Sequence, residues 1–149
     1  MSGLVVGFFF WKFQNSKAKK EAVQKMKEII GSQVRDNLEV FETVHDAIQK
    51  GGVHHMPSPF RISAIQVFLQ AGFIDRIPID IAGVIIELYD RLLLANHFHN
   101  ELLDYVIGMK STISNSAAVK TNIQNYLKQV LPLLQVELKN LQEILAKSA

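Results

Sequence analysis

A chain of 149 residues, 48% hydrophobic and 20% charged, can build one sizeable core; it is too short for two full domains and too apolar to stay disordered. The formal charge of +2 is unevenly spread: Lys12, Lys17, Lys19 and Lys20 fall in the first twenty residues, where there is no Asp or Glu, leaving 12 basic against 14 acidic residues in the rest. A body of about −2 has no basic face for a phosphate backbone, which excludes nucleic acid as a partner, and the absence of cysteine excludes disulfides, thiolate nucleophiles and cysteine-based zinc sites.

In chain order, the first feature is the run Gly3 to Phe13, GLVVGFFFWKF, apolar except for Lys12. Eleven helical residues rise only about 16 Å against a hydrocarbon core of roughly 30 Å, so this run alone does not span a bilayer. It is no secretory signal either, because the charges follow the apolar stretch instead of preceding it. Phe8, Phe9, Phe10, Trp11 and Lys12, followed by further lysines, have the pattern of a membrane anchor ending at the lipid–water interface. The segment 1–15 is read as this anchor. It is either an interfacial helix or the end of a transmembrane helix whose first half lies upstream; if it spans, the basic flank would hold the body (16–149) in the cytoplasm.

From Ser16 to about Gln49 the spacing predicts one amphipathic helix, with Val23, Met26, Ile30, Val34, Leu38, Phe41, Val44 and Ile48 on one face. Gly31 within it invites a bend, and Gly51-Gly52 ends it. Ser58-Pro59 reads as an N-cap with proline at the first helical position, opening a short helix from Pro59 to Ala71 that is closed by Gly72. Pro78 opens the next helix. It carries the stripe Ile81, Ile85, Leu88, Leu92, Ala95, His99, Leu102, Val106, Met109 and a second one, Ala82, Ile86, Tyr89, Leu93, so it should be surrounded by the bundle or meet a partner. Residues 108–118 read as a loop with Ser114 or Ser116 as a helix cap. The last helix follows, presenting Val119, Ile123, Tyr126, Val130, Leu134, Leu138, Leu141 and Leu145, with a kink expected at Pro132. No stretch alternates with period two. The expected fold is all-α: an antiparallel helical bundle of about four helices, one of them short.

Residues Leu69, Ala71-Gly72-Phe73-Ile74, Ile77-Pro78, Leu88-Tyr89 and Asn96 form a pattern that resembles uncharacterised prokaryotic proteins with an N-terminal membrane helix and a small helical domain. The likeness covers about thirty residues; it implies an anchored bundle and no particular activity.

Chemistry is sparse. His97 and His99 are two residues apart and point to different sides of their helix, and a single His97–Glu101 pair does not make a metal site; no metal or cofactor is expected. There is no phosphate loop and no nucleophile elbow, and a helix bearing Asp80, Glu87 and Asp90 against one Arg91 would be repelled by DNA. The expected function is therefore non-enzymatic: a membrane-associated adaptor, scaffold or accessory subunit. It would meet membrane lipid and a protein partner or second copy, using Ile86, Tyr89 and Leu93 as partner surface. The alternative is a sensor or carrier holding a small apolar ligand between the helices, lined by Tyr89, Asn96 and His99.

Overall fold

A computed structural model describes residues 2–108 and 116–147, with side chains from 20 onward in the first stretch and from 117 in the second. Among the described residues the chain is all-helical: α1 (Ser2–Gln49), α2 (Ser63–Gln70), a single 3-10 turn (Phe73–Arg76), α3 (Ile79–Val106) and α4 (Ser116–Lys147).

α1 starts fourteen residues earlier than the periodicity predicted, and its backbone runs unbroken through both the 15/16 boundary and Gly31. A β-carbon on Gly31 would meet only Leu145 Cδ1, at 3.9 Å, an ordinary contact. Gly31→Ala is thus expected to raise stability by about 0.5–1 kcal/mol, read as a higher denaturation midpoint, because alanine removes backbone freedom from the unfolded chain without a clash. The amphipathic face behaves as predicted from Ile30 onward: Ile30, Val34, Phe41, Val44 and Ile48 are buried.

α4 runs antiparallel to α1. The Gln124 amide donates to the Gly51 carbonyl at 2.7 Å near one end, and Gly31 lies against Leu145 near the other. α3 is antiparallel to α4, with Arg91 against Glu137 and Phe98 against Tyr126. α1 and α3 are therefore parallel, each packed along α4. They are joined to one another chiefly through α2 and the segment leading into it. The core fills this space with Phe41, Phe60, Ile65, Phe68, Leu88, Leu92, Leu127, Leu131, Leu134 and Leu138. Leu127 and Leu131 lie one residue away from the predicted α4 stripe and broaden its buried face, whereas Tyr126 of that stripe is partly exposed. α4 remains helical through Pro132, which leaves the Lys128 carbonyl without its usual i+4 donor.

α2 corrects the sequence reading. It begins at Ser63, not Pro59, and Ile62 at its N-cap makes no side-chain capping bond. Ser58 lies in the left-handed region at φ 45°, an uncommon conformation for a residue with a β-carbon and doubly so before proline. The local signal was overridden by long-range hydrogen bonds, described below. The other end of α2 is as read: Gly72 (φ 75°) is left-handed, its N–H meets the Leu69 carbonyl, and Phe73 stacks on Phe68 at 5.7 Å.

α3 opens after Pro78 as expected, but it is not surrounded. Its inner face is covered, while Ile79, Ile86 and Leu93, spaced by seven and so aligned, are exposed. The predicted caps Ser114 and Met109 of the α3 stripe lie outside the described residues; α4 itself begins at Ser116.

Candidate functional site

Four amide side chains dominate the interior polar chemistry. Gln33 and Asn37 sit one turn apart on α1, Asn96 and Asn100 one turn apart on α3, and each pair faces the segment 58–64 that runs between the two helices. Asn96 grips Phe60 from both sides: the Phe60 N–H donates to Asn96 Oδ1 at 2.9 Å, and Asn96 Nδ2 donates to the Phe60 carbonyl at 2.7 Å. Asn37 repeats the arrangement on Arg61, accepting from its N–H at 2.7 Å and donating to its carbonyl at 2.9 Å. Asn100 accepts from the Ser58 N–H at 2.6 Å and donates to Ser58 Oγ at 2.9 Å. Gln33 accepts from the Ala64 N–H at 3.0 Å and donates to Ser63 Oγ at 3.0 Å, standing in for the local cap that α2 lacks.

The spacing explains why this works. Four residues along a helix rise about 6 Å, and two residues of extended chain advance about 6.6 Å. On α3 this puts Asn96 and Asn100 in step with Phe60 and Ser58, two residues apart, whereas the α1 pair holds Arg61 and Ala64, three apart, where the chain turns into α2. An unpaired buried peptide group costs about 1–3 kcal/mol, and here the side chains of two flanking helices supply the partners that a second strand would give.

Beside this clamp lies a histidine cluster. The rings of His54 and His55 are 4.6 Å apart, and His54 is 6.1 Å from His99. His54 is nearly buried and its Nδ1 accepts from the Met56 N–H at 3.3 Å. His99 is wholly enclosed and neither ring nitrogen has a hydrogen-bond partner. Burial first, and His54 second, hold its pKa down at about 4, outweighing the opposite pull of Asn100. Among the described residues no group of three His, Asp or Glu side chains is arranged to hold a metal ion.

The residues proposed to line a ligand site are thus dispersed in role. Asn96 is spent on the Phe60 backbone, His99 lies in the histidine cluster, and Tyr89 packs half-buried against the core. Open clefts lie elsewhere, one of about 390 Å³ along Asp36, Val40, Thr43 and Arg61 and another of about 270 Å³ between α1 and the end of α4.

Of the three residues expected at a partner surface, Ile86 and Leu93 face outward and Tyr89 is half-covered. Sequence reading missed a second exposed apolar strip. Arg91 Nε meets Glu137 Oε1 at 2.7 Å, and the rings of Phe98 and Tyr126 are 4.4 Å apart, which fixes the α3–α4 register. Leu94 lies between these two contacts on α3, opposite the turn of α4 that carries Leu133. Leu94, Leu133 and Val136 are 44%, 53% and 65% exposed, so the seam is apolar on its outside as well as its inside. The signal was present in Leu133-Leu134, where adjacent leucines on a helix cannot both face one core.

Phe8, Phe9, Phe10, Trp11 and Lys12 belong to the helical backbone of α1, but their side chains lie outside the described residues. Among the described residues no helix is long and apolar enough to cross a membrane. Compared with known proteins, the chain matches no family model, no curated relative and no solved structure.

Proposed function

We infer that the protein is a non-enzymatic, membrane-associated helical bundle that acts by binding another protein. One observation carries the reading: α1 continues as helix for 28 residues before Ile30, the first buried apolar residue among its described side chains. At 1.5 Å per residue, the seventeen residues from Phe13 to Ile30 make about 25 Å of helix leading from the aromatic, lysine-flanked segment into the bundle. From Lys20 to Ile29 the side chains of this helix are exposed or half-exposed, as a connecting rod would have them. Aromatic residues with adjacent lysines favour the headgroup region, the lysines by attraction to anionic lipid. The outer strips Ile79–Ile86–Leu93 and Leu94–Leu133–Val136 supply the apolar surface for a protein partner.

Flotation with vesicles containing one-third anionic lipid tests the first half. The full chain is expected to float and a chain lacking residues 1–13 to sediment; a full chain that stays with the soluble fraction overturns membrane association. A photo-crosslinking residue at Leu133 tests the second half, where a discrete adduct is expected and adduct-free protein in its native cells would remove the adaptor role.

A further inference from the structure

We propose that His99, enclosed against His54, works as a proton-operated latch: a proton taken up by its ring drives the loop 51–58 away from α3 and releases the grip on Ser58 and Phe60. The proposal stands on placement. His99 lies on α3 between Asn96 and Asn100, the two residues that hold Phe60 and Ser58. His54 and His55 lie on the loop that leads directly into that held segment. The faces of the latch are thus imidazoles, with one enclosed ring offering two nitrogens that no protein group satisfies. A neutral imidazole of this kind is tolerated. An imidazolium is not, because burial removes its hydration and the nearest titratable ring would share its sign.

The surrounding charges give no relief. On α3, His97 pairs with Glu101 at 3.8 Å on the exposed face. On α1, His45 stacks on Phe41 and Asp46 is paired with Lys50 at the surface. On α4 the titratable groups in the adjoining turns are Lys120 and Lys128, of the same sign as the imidazolium, and the Tyr126 phenol, which lies against Phe98; none is a carboxylate. Of all these groups only His54 bears on His99 electrostatically. The sign follows: the enclosed ring resists a proton until pH about 4, whereas a ring released to water accepts one below about 6.5. The closed form is therefore fully favoured above pH 6.5 and progressively lost as pH falls towards 4.

The test is hydrogen exchange on the full chain in zwitterionic detergent micelles, expressed as protection factors at pH 7 and pH 5. Protection of the Phe60 N–H, which donates to Asn96, is expected to fall roughly twentyfold in the unmodified protein, as the two pKa values require, and less than twofold in His99→Leu. Core amides at Leu92 and Leu134 should keep their protection. Unchanged protection of Phe60, or an equal loss at Leu134, overturns the latch. Should His99→Leu fail to fold, the His99 ring resonance in the unmodified protein decides: a midpoint well below 6 sustains the proposal, and one near 6.5 overturns it.

Discussion

Replacing Asn96 with alanine is expected to destabilise the protein by about 2–5 kcal/mol, more than any other single amide substitution, measured as a lower denaturant midpoint at unchanged slope. The reasoning is one of orphaned groups. Both the N–H and the carbonyl of Phe60 end on the Asn96 side chain at 2.9 and 2.7 Å, inside the structure, with Phe60 itself 2% exposed. Alanine removes both partners at once and puts nothing in their place. Asn96→Asp should be nearly as damaging, since a carboxylate keeps the acceptor, loses the donor and brings a charge into the interior. Asn100→Ala makes the contrast, with an expected cost below about 1 kcal/mol, because its bonds to Ser58 are exposed and water can replace them. Equal losses at positions 96 and 100 would show that the clamp acts as ordinary surface hydrogen bonding.

Leu134→Ala is expected to cost about 2–5 kcal/mol, whereas Leu133→Ala, one residue away, should stay within about 0.5 kcal/mol. Leu134 is fully enclosed in the core shared by the long helices, so truncation loses both its burial and the packing of its neighbours. Leu133 is 53% exposed on the α3–α4 seam and loses little in the isolated chain. If the seam is used by a partner, Leu133→Ala would leave unfolding untouched and weaken crosslinking there. Thermal unfolding of the two variants separates the core from the seam without knowledge of the partner.

The architecture was legible because it rests on local periodicity. Ile30, Val34, Phe41, Val44 and Ile48 announce one face of α1 by their spacing, and Ile85, Leu88, Leu92 and Leu102 do the same for α3. Gly72 was readable as a helix terminator because left-handed backbone favours glycine whatever the surroundings. The start of α2 was not readable. Ser58-Pro59 has the local chemistry of a cap, but its backbone and that of Phe60 are claimed by Asn100 and Asn96, some forty positions away in the chain. Spacing within a single element carries no trace of such partners. A hint did exist: Gln33 with Asn37, and Asn96 with Asn100, are amide pairs one turn apart beside apolar stripes, which is where side chains must serve another backbone. The outward strips of α3 and α4 were only half visible, since apolar side chains look the same in sequence whether a core or a partner covers them.

The segment 58–64 is held by its peptide groups and by two serine hydroxyls, with Phe60 and Ala64 as its buried side chains. Its identity as a sequence therefore matters less than its count. The exposed side chain of Arg61 can change with modest effect, while deleting or adding one residue between Phe60 and Ala64 would put the α1 teeth out of phase with the α3 teeth. Length, more than letters, is what this stretch of chain has to preserve.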